Sequence, residues 1–97
     1  MSMHNPPHPG EFIAEVYLEP NKISGRELAV NLGVSPSTLN RVLNGISSAS
    51  PAMALHLSKA LGRSPESWLA MQSSYDLWHA WRVTKLDKVD KIELSAL

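Results

Sequence analysis

The sequence predicts an all-α fold: five helices with a central helix-turn-helix and a short C-terminal extension. Three observations carry that expectation. Serine followed by proline occurs at Ser35-Pro36, Ser50-Pro51 and Ser64-Pro65, each ahead of an amphipathic run, and the pair supplies an N-cap hydroxyl and a first helical residue that needs no amide. Glycine follows three apolar runs, at Gly33, Gly45 and Gly62, where a residue free to turn left-handed closes a helix with least strain. Apolar residues recur at helical spacing, not in strict alternation, through most of the chain.

Taken in order, residues 1–9 are rich in Pro and His and predict an extended N-terminal arm, because each proline biases its predecessor away from the helix. Gly10 to Leu18 sets Phe12, Ile13, Val16 and Tyr17 on one side of a first helix, which Pro20 should end. Ser24 and Glu27 form a capping box for the second helix, with Ile23 placed to staple against Leu28. Leu28, Ala29 and Leu32 face inward, and Gly33 makes the turn. The third helix starts at Ser35 and Pro36 and ends at Asn44 and Gly45. Leu39, Val42 and Leu43 cluster on one side of it, while Ser37, Asn40, Arg41 and Asn44 share an arc of about 100° on the other.

The fourth helix runs from Pro51 to Gly62 and buries Met53, Leu57, Ala60 and Leu61; the fifth runs from Pro65 towards Trp81. That last helix carries Trp68, Met71, Tyr75 and Trp78 in a stripe with Leu69, Leu77 and Trp81 beside it, more apolar breadth than one small core needs. Trp68, Tyr75, Trp78 and Trp81 are therefore the candidate contact with a second copy, with core packing the stronger expectation for Trp68. Val83, Leu86, Val89 and Ile92 recur every third residue, a pattern that drifts round a helix by about 60° per step. A helical extension is the preferred reading of residues 83–97 over a strand or disorder. Residues 10–82 form the one domain expected from 97 residues that are 43% hydrophobic.

With no cysteine there is neither a disulfide framework nor a thiolate metal site, which suits a cytoplasmic protein. No apolar run approaches the roughly 20 residues of a membrane span, and the first residues lack the basic and apolar regions of a signal peptide, so no membrane partner is expected. The zero net charge is unevenly spread. Glu11, Glu15 and Glu19 make residues 1–21 net −3; Lys22, Arg26, Arg41, Lys59 and Arg63 against Glu27 make residues 22–63 net +4; the remainder is net −1. The basic middle third coincides with the helix-turn-helix.

In such a motif the second helix carries base-reading side chains, and helix starts hold phosphates. Arg41 fits guanine O6 and N7, Asn40 and Asn44 fit a base edge or a phosphate, and Ser37 and Thr38 are short enough for close approach. Ser24, Gly25 and Arg26 combine a helix start with a charge. The plain alternative is a helical hairpin whose outer face is incidentally polar; the turn, the spacing and the lack of acidic residues other than Glu27 between Lys22 and Gly45 count against it. An enzyme is not expected: His4, His8, His56 and His79 lack metal-ligand spacing, and the serines lack a partner base, so neither a catalytic residue, a metal nor a cofactor is assigned. A protein-interaction module working through the Trp-rich last helix is the remaining rival.

The blocks His8-Pro9-Gly10-Glu11, Leu18-Glu19-Pro20, Leu32-Gly33-Val34-Ser35, Arg41-Val42-Leu43-Asn44-Gly45, Ser50-Pro51-Ala52-Met53-Ala54, Trp68-Leu69-Ala70-Met71-Gln72 and Tyr75-Asp76-Leu77-Trp78 resemble the HigA antitoxins, a branch of the XRE or lambda-repressor-like superfamily. The resemblance spans about residues 4 to 82 and rests on several blocks in order. It implies a five-helix lambda-repressor-like DNA-binding domain, a homodimer that binds a palindromic operator and represses its own operon, and a HigB-like toxin partner, a ribosome-dependent messenger RNA endonuclease. Carried across by position, the base-contact residues are Ser37, Thr38, Asn40 and Arg41, and the phosphate-contact residues are Ser24, Gly25, Arg26, Ser35 and Asn44. Pro36 departs from the pattern of a longer polar residue near this point. An orphan regulator without a toxin is the alternative within the same family.

Overall fold

Each serine–proline pair starts a helix in the way its chemistry dictates. In the computed structural model, which describes residues 5–95, the Oγ atoms of Ser35, Ser50 and Ser64 accept from the backbone N–H of Thr38, Met53 and Ser67 at 3.2, 3.1 and 3.0 Å. The five helices are α1 (residues 9–21), α2 (Gly25–Leu32), α3 (Pro36–Leu43), α4 (Pro51–Leu61) and α5 (Pro65–Val83), with no strand among the described residues. The capping box of α2 forms as the spacing requires, with Glu27 N–H donating to Ser24 Oγ and Ser24 N–H to Glu27 Oε1, each at 3.1 Å.

Helix α1 departs from expectation at its far end. Pro20 does not end it: the helix passes through the proline and closes at Asn21. Ala14–Leu18 is wound as a π turn, and Glu19 N–H reaches back five residues to Ala14 O. A widened turn just upstream is one of the few ways a helix absorbs the missing amide and the ring of a proline. The same widening sets the buried face at a spacing of five. Ile13 and Leu18 are buried, Phe12 and Tyr17 are half-buried with their rings 6.1 Å apart, and Val16, expected inside, is 45% exposed. The helix then stops on Lys22, left-handed at φ 55°, with Lys22 N–H bonded to Glu19 O and Ile23 N–H to Leu18 O, a Schellman closure.

The core gathers Ile13, Leu18, Leu28, Ala29, Leu32, Leu39, Val42, Ala49, Met53, Ala54, Leu57 and Trp68, one cluster fed by every helix. Ala60, assigned inward from sequence, is exposed, and Ala54 takes the inner position instead. Trp68, named above as a candidate interface residue, is 0% exposed and belongs to this chain's own core. Its ring lies 6.0 Å from Phe12 and 6.2 Å from Tyr17, and its indole N–H donates to Gly62 O at 3.1 Å. A side chain enclosed on all sides has no surface left for a second copy.

At the N-terminal side, residues 1–4 of the expected arm lie outside the described residues and residues 5–8 have no regular structure. His8 and Pro9 are not arm-like: both are buried, Pro9 is the first residue of α1, and His8 Nδ1 accepts from Gly10 N–H at 2.9 Å as the N-cap. The ring meets Tyr75 edge-on at 4.9 Å and bonds the Ser47 backbone. Burial lowers the His8 pKa below its ordinary 6.5, against the upward pull of Asp76, Ser47 and Glu11. Below that value the unfolded chain takes up a proton that the folded chain resists. The neutral ring's contribution to stability is therefore complete above pH 6.5 and is lost as the pH falls towards and through the lower folded value. Urea midpoints measured from about pH 7 down to about pH 5 are expected to fall more steeply for the native chain than for His8→Asn, which keeps a cap acceptor and removes the titration.

The extension is not the helix preferred from sequence. Thr84 is extended at φ −86° and ψ 126°, ending α5, and residues 84–95 hold only a turn, with Val89 N–H bonded to Leu86 O at 3.0 Å. An every-third apolar pattern gives a helix no single face to bury, and Leu86, Val89, Ile92 and Leu94 are all exposed.

Candidate nucleic-acid interface

Helix α3 is held on its inner side and open on its outer side. Leu39 and Val42 are buried and Leu43 is half-buried, whereas Ser37, Thr38, Asn40, Arg41 and Asn44 are all exposed. The geometry of the turn before it follows from Gly33, left-handed at φ 73°, with Gly33 N–H bonded to Val30 O and Val34 N–H to Ala29 O, both at 3.1 Å. This closure ends α2 and lets Ser35 cap α3 two residues later.

The start of α2 lies against the middle of α3. A Cβ built on Gly25 would stand 3.2 Å from Leu43 Cδ1 and 3.6 Å from Asn40 Oδ1. Gly25 is therefore half-buried between the two helices, while its neighbours Ser24 and Arg26 are exposed. The structure thus brings Gly25, one of the residues expected from sequence to meet a phosphate, beside Asn40, one of those expected to meet a base. The capping box uses the Ser24 oxygen as acceptor and its amide as donor, and so leaves the hydroxyl proton unused. At α3 the Ser35 hydroxyl donates to Thr38 Oγ1 at 2.8 Å, so the Thr38 hydroxyl proton is not used in that bond.

Two residues that sequence reasoning passed over help to place α3. Gly10 is buried where α1 crosses the end of α3, and a Cβ there would fall 2.0 Å from Val42 O and 2.7 Å from Leu43 Cα. Ser47 accepts from Arg41 Nε at 3.1 Å. The only sequence signal for the latter is Gly45, whose left-handed φ of 73° turns the chain back over α3.

The remaining candidates lie on α5. Tyr75 is half-buried between His8 and His79, Trp78 is half-buried with Arg82 over its ring at 4.7 Å, and Trp81 is 52% exposed beside Leu77 at 50%. His56, on α4, donates from Nδ1 to Leu32 O at 2.7 Å and so ties α4 to the end of α2. Among the described residues no group of three or more His, Cys, Asp or Glu is placed to hold a metal ion, and no helix is long and apolar enough to cross a membrane.

Residues 15–68 match the family described as Helix-turn-helix. The chain is 36% identical over 92 residues to an uncharacterised HTH-type transcriptional regulator, YddM, of Escherichia coli strain K12, covering 95% of this chain and 97% of that protein. Among solved structures it is similar to the antitoxin GraA in complex with its operator, with a TM-score of 0.85, 32% identity and coverage of 97% of this chain and 98% of that one. It is also similar to the Pseudomonas aeruginosa antitoxin HigA with the higBA promoter, with a TM-score of 0.80, 32% identity and coverage of 91% and 96%. These are regulators and antitoxins of a DNA-binding, non-enzymatic class. On these matches the chain belongs to the helix-turn-helix family, in its XRE-like group with the HigA antitoxins.

Proposed function

We propose that this chain is the antitoxin of a type II toxin–antitoxin pair: it binds a palindromic operator as a homodimer, represses its own operon and neutralises a HigB-like toxin. The observation that carries the DNA-binding reading is the outward, carboxylate-free face of α3, with Ser37, Thr38, Asn40 and Arg41 exposed beside the Ser24–Arg26 helix start. Arg41 is the direct reader of a guanine, Asn40 with Ser37 and Thr38 approach neighbouring base edges, and Ser24, Gly25, Arg26, Ser35 and Asn44 hold phosphates. One such helix reads only a few base pairs. A two-fold pair reads half-sites about 34 Å apart, and the apolar face of α5 at Tyr75, Trp78 and Trp81, extended by exposed Leu77, is the contact that joins the copies. The working location is the cytoplasm, on the nucleoid when DNA is bound.

The test is a duplex from the chain's own promoter region. Binding is expected to weaken steeply with added salt, and Arg41→Ala is expected to lower operator affinity about tenfold or more while flattening the preference over an unrelated duplex. Absent or salt-insensitive binding overturns the regulator reading and leaves a protein-interaction module. Co-expression with the adjacent gene decides the toxin arm: co-purification of a small basic protein supports the pair, and a neighbour that does not associate leaves an orphan regulator.

A further inference from the structure

We infer that Ser47, outside the helix-turn-helix, is a positioning residue that sets how Arg41 is presented to DNA. The inference rests on the reading of Arg41 as a base contact. Beyond α3 the chain reverses at Gly45, and Ile46 N–H and Ser47 N–H both donate to Arg41 O, at 2.8 and 3.0 Å. Ser47 Oγ then accepts from Arg41 Nε at 3.1 Å. Residue 47 is thus fastened to residue 41 at the backbone and again at the side chain.

The chemistry follows from the shape of the guanidinium. Its five N–H groups lie in one rigid plane. With Nε–H occupied by Ser47, the plane is restrained and the four N–H groups on the two terminal nitrogens are left to donate elsewhere. Guanine offers O6 and N7 as two adjacent acceptors in the major groove, which a pair of donors from the terminal edge matches. A free arginine must give up its rotamer freedom when it binds; one already clamped by a serine has surrendered part of it before DNA arrives. Sequence reading of the motif alone assigns Ser47 to an ordinary turn.

Ser47→Ala is expected to weaken binding to the promoter duplex about three- to tenfold, the range of one hydrogen bond. The loss should fall on discrimination: in a series of duplexes with each guanine pair of the bound site replaced in turn, the penalty at the pair read by Arg41 should shrink. The salt slope and the Tm should stay near native, and Ser47→Thr, which keeps a hydroxyl, should restore discrimination. In an Arg41→Ala background, Ser47→Ala should then have no further effect on binding. Equal loss on all duplexes, or a loss that persists without Arg41, overturns the inference in favour of a scaffold role or a direct Ser47–phosphate contact. If Arg41→Ala itself leaves discrimination intact, the base-contact reading fails, a result recognisable without any Ser47 variant.

Discussion

Gly10→Ala is expected to lower the Tm by about 10 °C or more, although it adds one methyl group to a residue with ordinary helical torsions. The reason is where that methyl would go. It would lie 2.0 Å from Val42 O, 2.7 Å from Leu43 Cα and 2.8 Å from Val42 C. All three are backbone atoms, so no side-chain rotation relieves the overlap. Either α1 lifts from α3 or the last turn of α3 deforms, and overpacking of this kind usually costs about 1–3 kcal/mol and sometimes more. In a domain of this size each kcal/mol moves Tm by about 4–8 °C. Gly33→Ala is the comparison: a Cβ there meets nothing within 4 Å, leaving only the left-handed backbone penalty of about 1–2 kcal/mol. Thermal melts of the two variants separate crowding from conformational strain. A Gly10→Ala melt equal to that of the native chain would show that α1 does not press on α3 as described.

Trp68→Ala should be the most damaging single truncation, removing about 3–5 kcal/mol of stability. Trp68 is the largest of the fully buried side chains, touches the rings of Phe12 and Tyr17, donates to Gly62 O and lies beneath the Arg63 guanidinium at 5.7 Å. Alanine leaves a void between α1 and α5 and an unpaired Gly62 carbonyl. Trp68→Phe keeps most of the volume and loses only the indole donor, so its midpoint in urea should lie between those of the native chain and the alanine variant. Since the residue is enclosed, its replacement should act on folding first, whereas replacing the half-exposed Trp81 should leave the melt of the single chain nearly unchanged. Equal effects at the two tryptophans would contradict this division between core and surface.

What was legible in the sequence was local. Ser24, Ser35, Ser50 and Ser64 cap helices because a hydroxyl and an amide three residues on meet whatever surrounds them. Leu39 and Val42 face inward and Asn40 and Arg41 outward because helical spacing alone separates them. What was missed depends on parts of the chain far apart in sequence or on altered spacing. Val16 looked inward on ordinary helical periodicity, but across the π turn it is Leu18 that is buried in its place, beside the half-buried Tyr17 that was expected inward. Trp68 stood among the interface candidates because its stripe is broad, although core packing was the stronger expectation; the position of α1 over it shows that Phe12 and Tyr17 already cover it. His8 had no visible task until α1, Tyr75 and the loop at Ser47 closed around it.

The self-contained helix boundaries reach beyond stability. Four helices start on their own serine, and α1, α2 and α3 stop at left-handed residues of their own. Apart from α1, which packs on α3 and α5, the main helix contacts join α2 with α3 and α4, and α4 with α5. Chains built from such nearby pairings assemble in microseconds to milliseconds, while a ribosome adds about 5–20 residues per second. A newly made chain is therefore expected to fold in less time than a ribosome takes to add one residue, so that folding adds little to the time its synthesis takes.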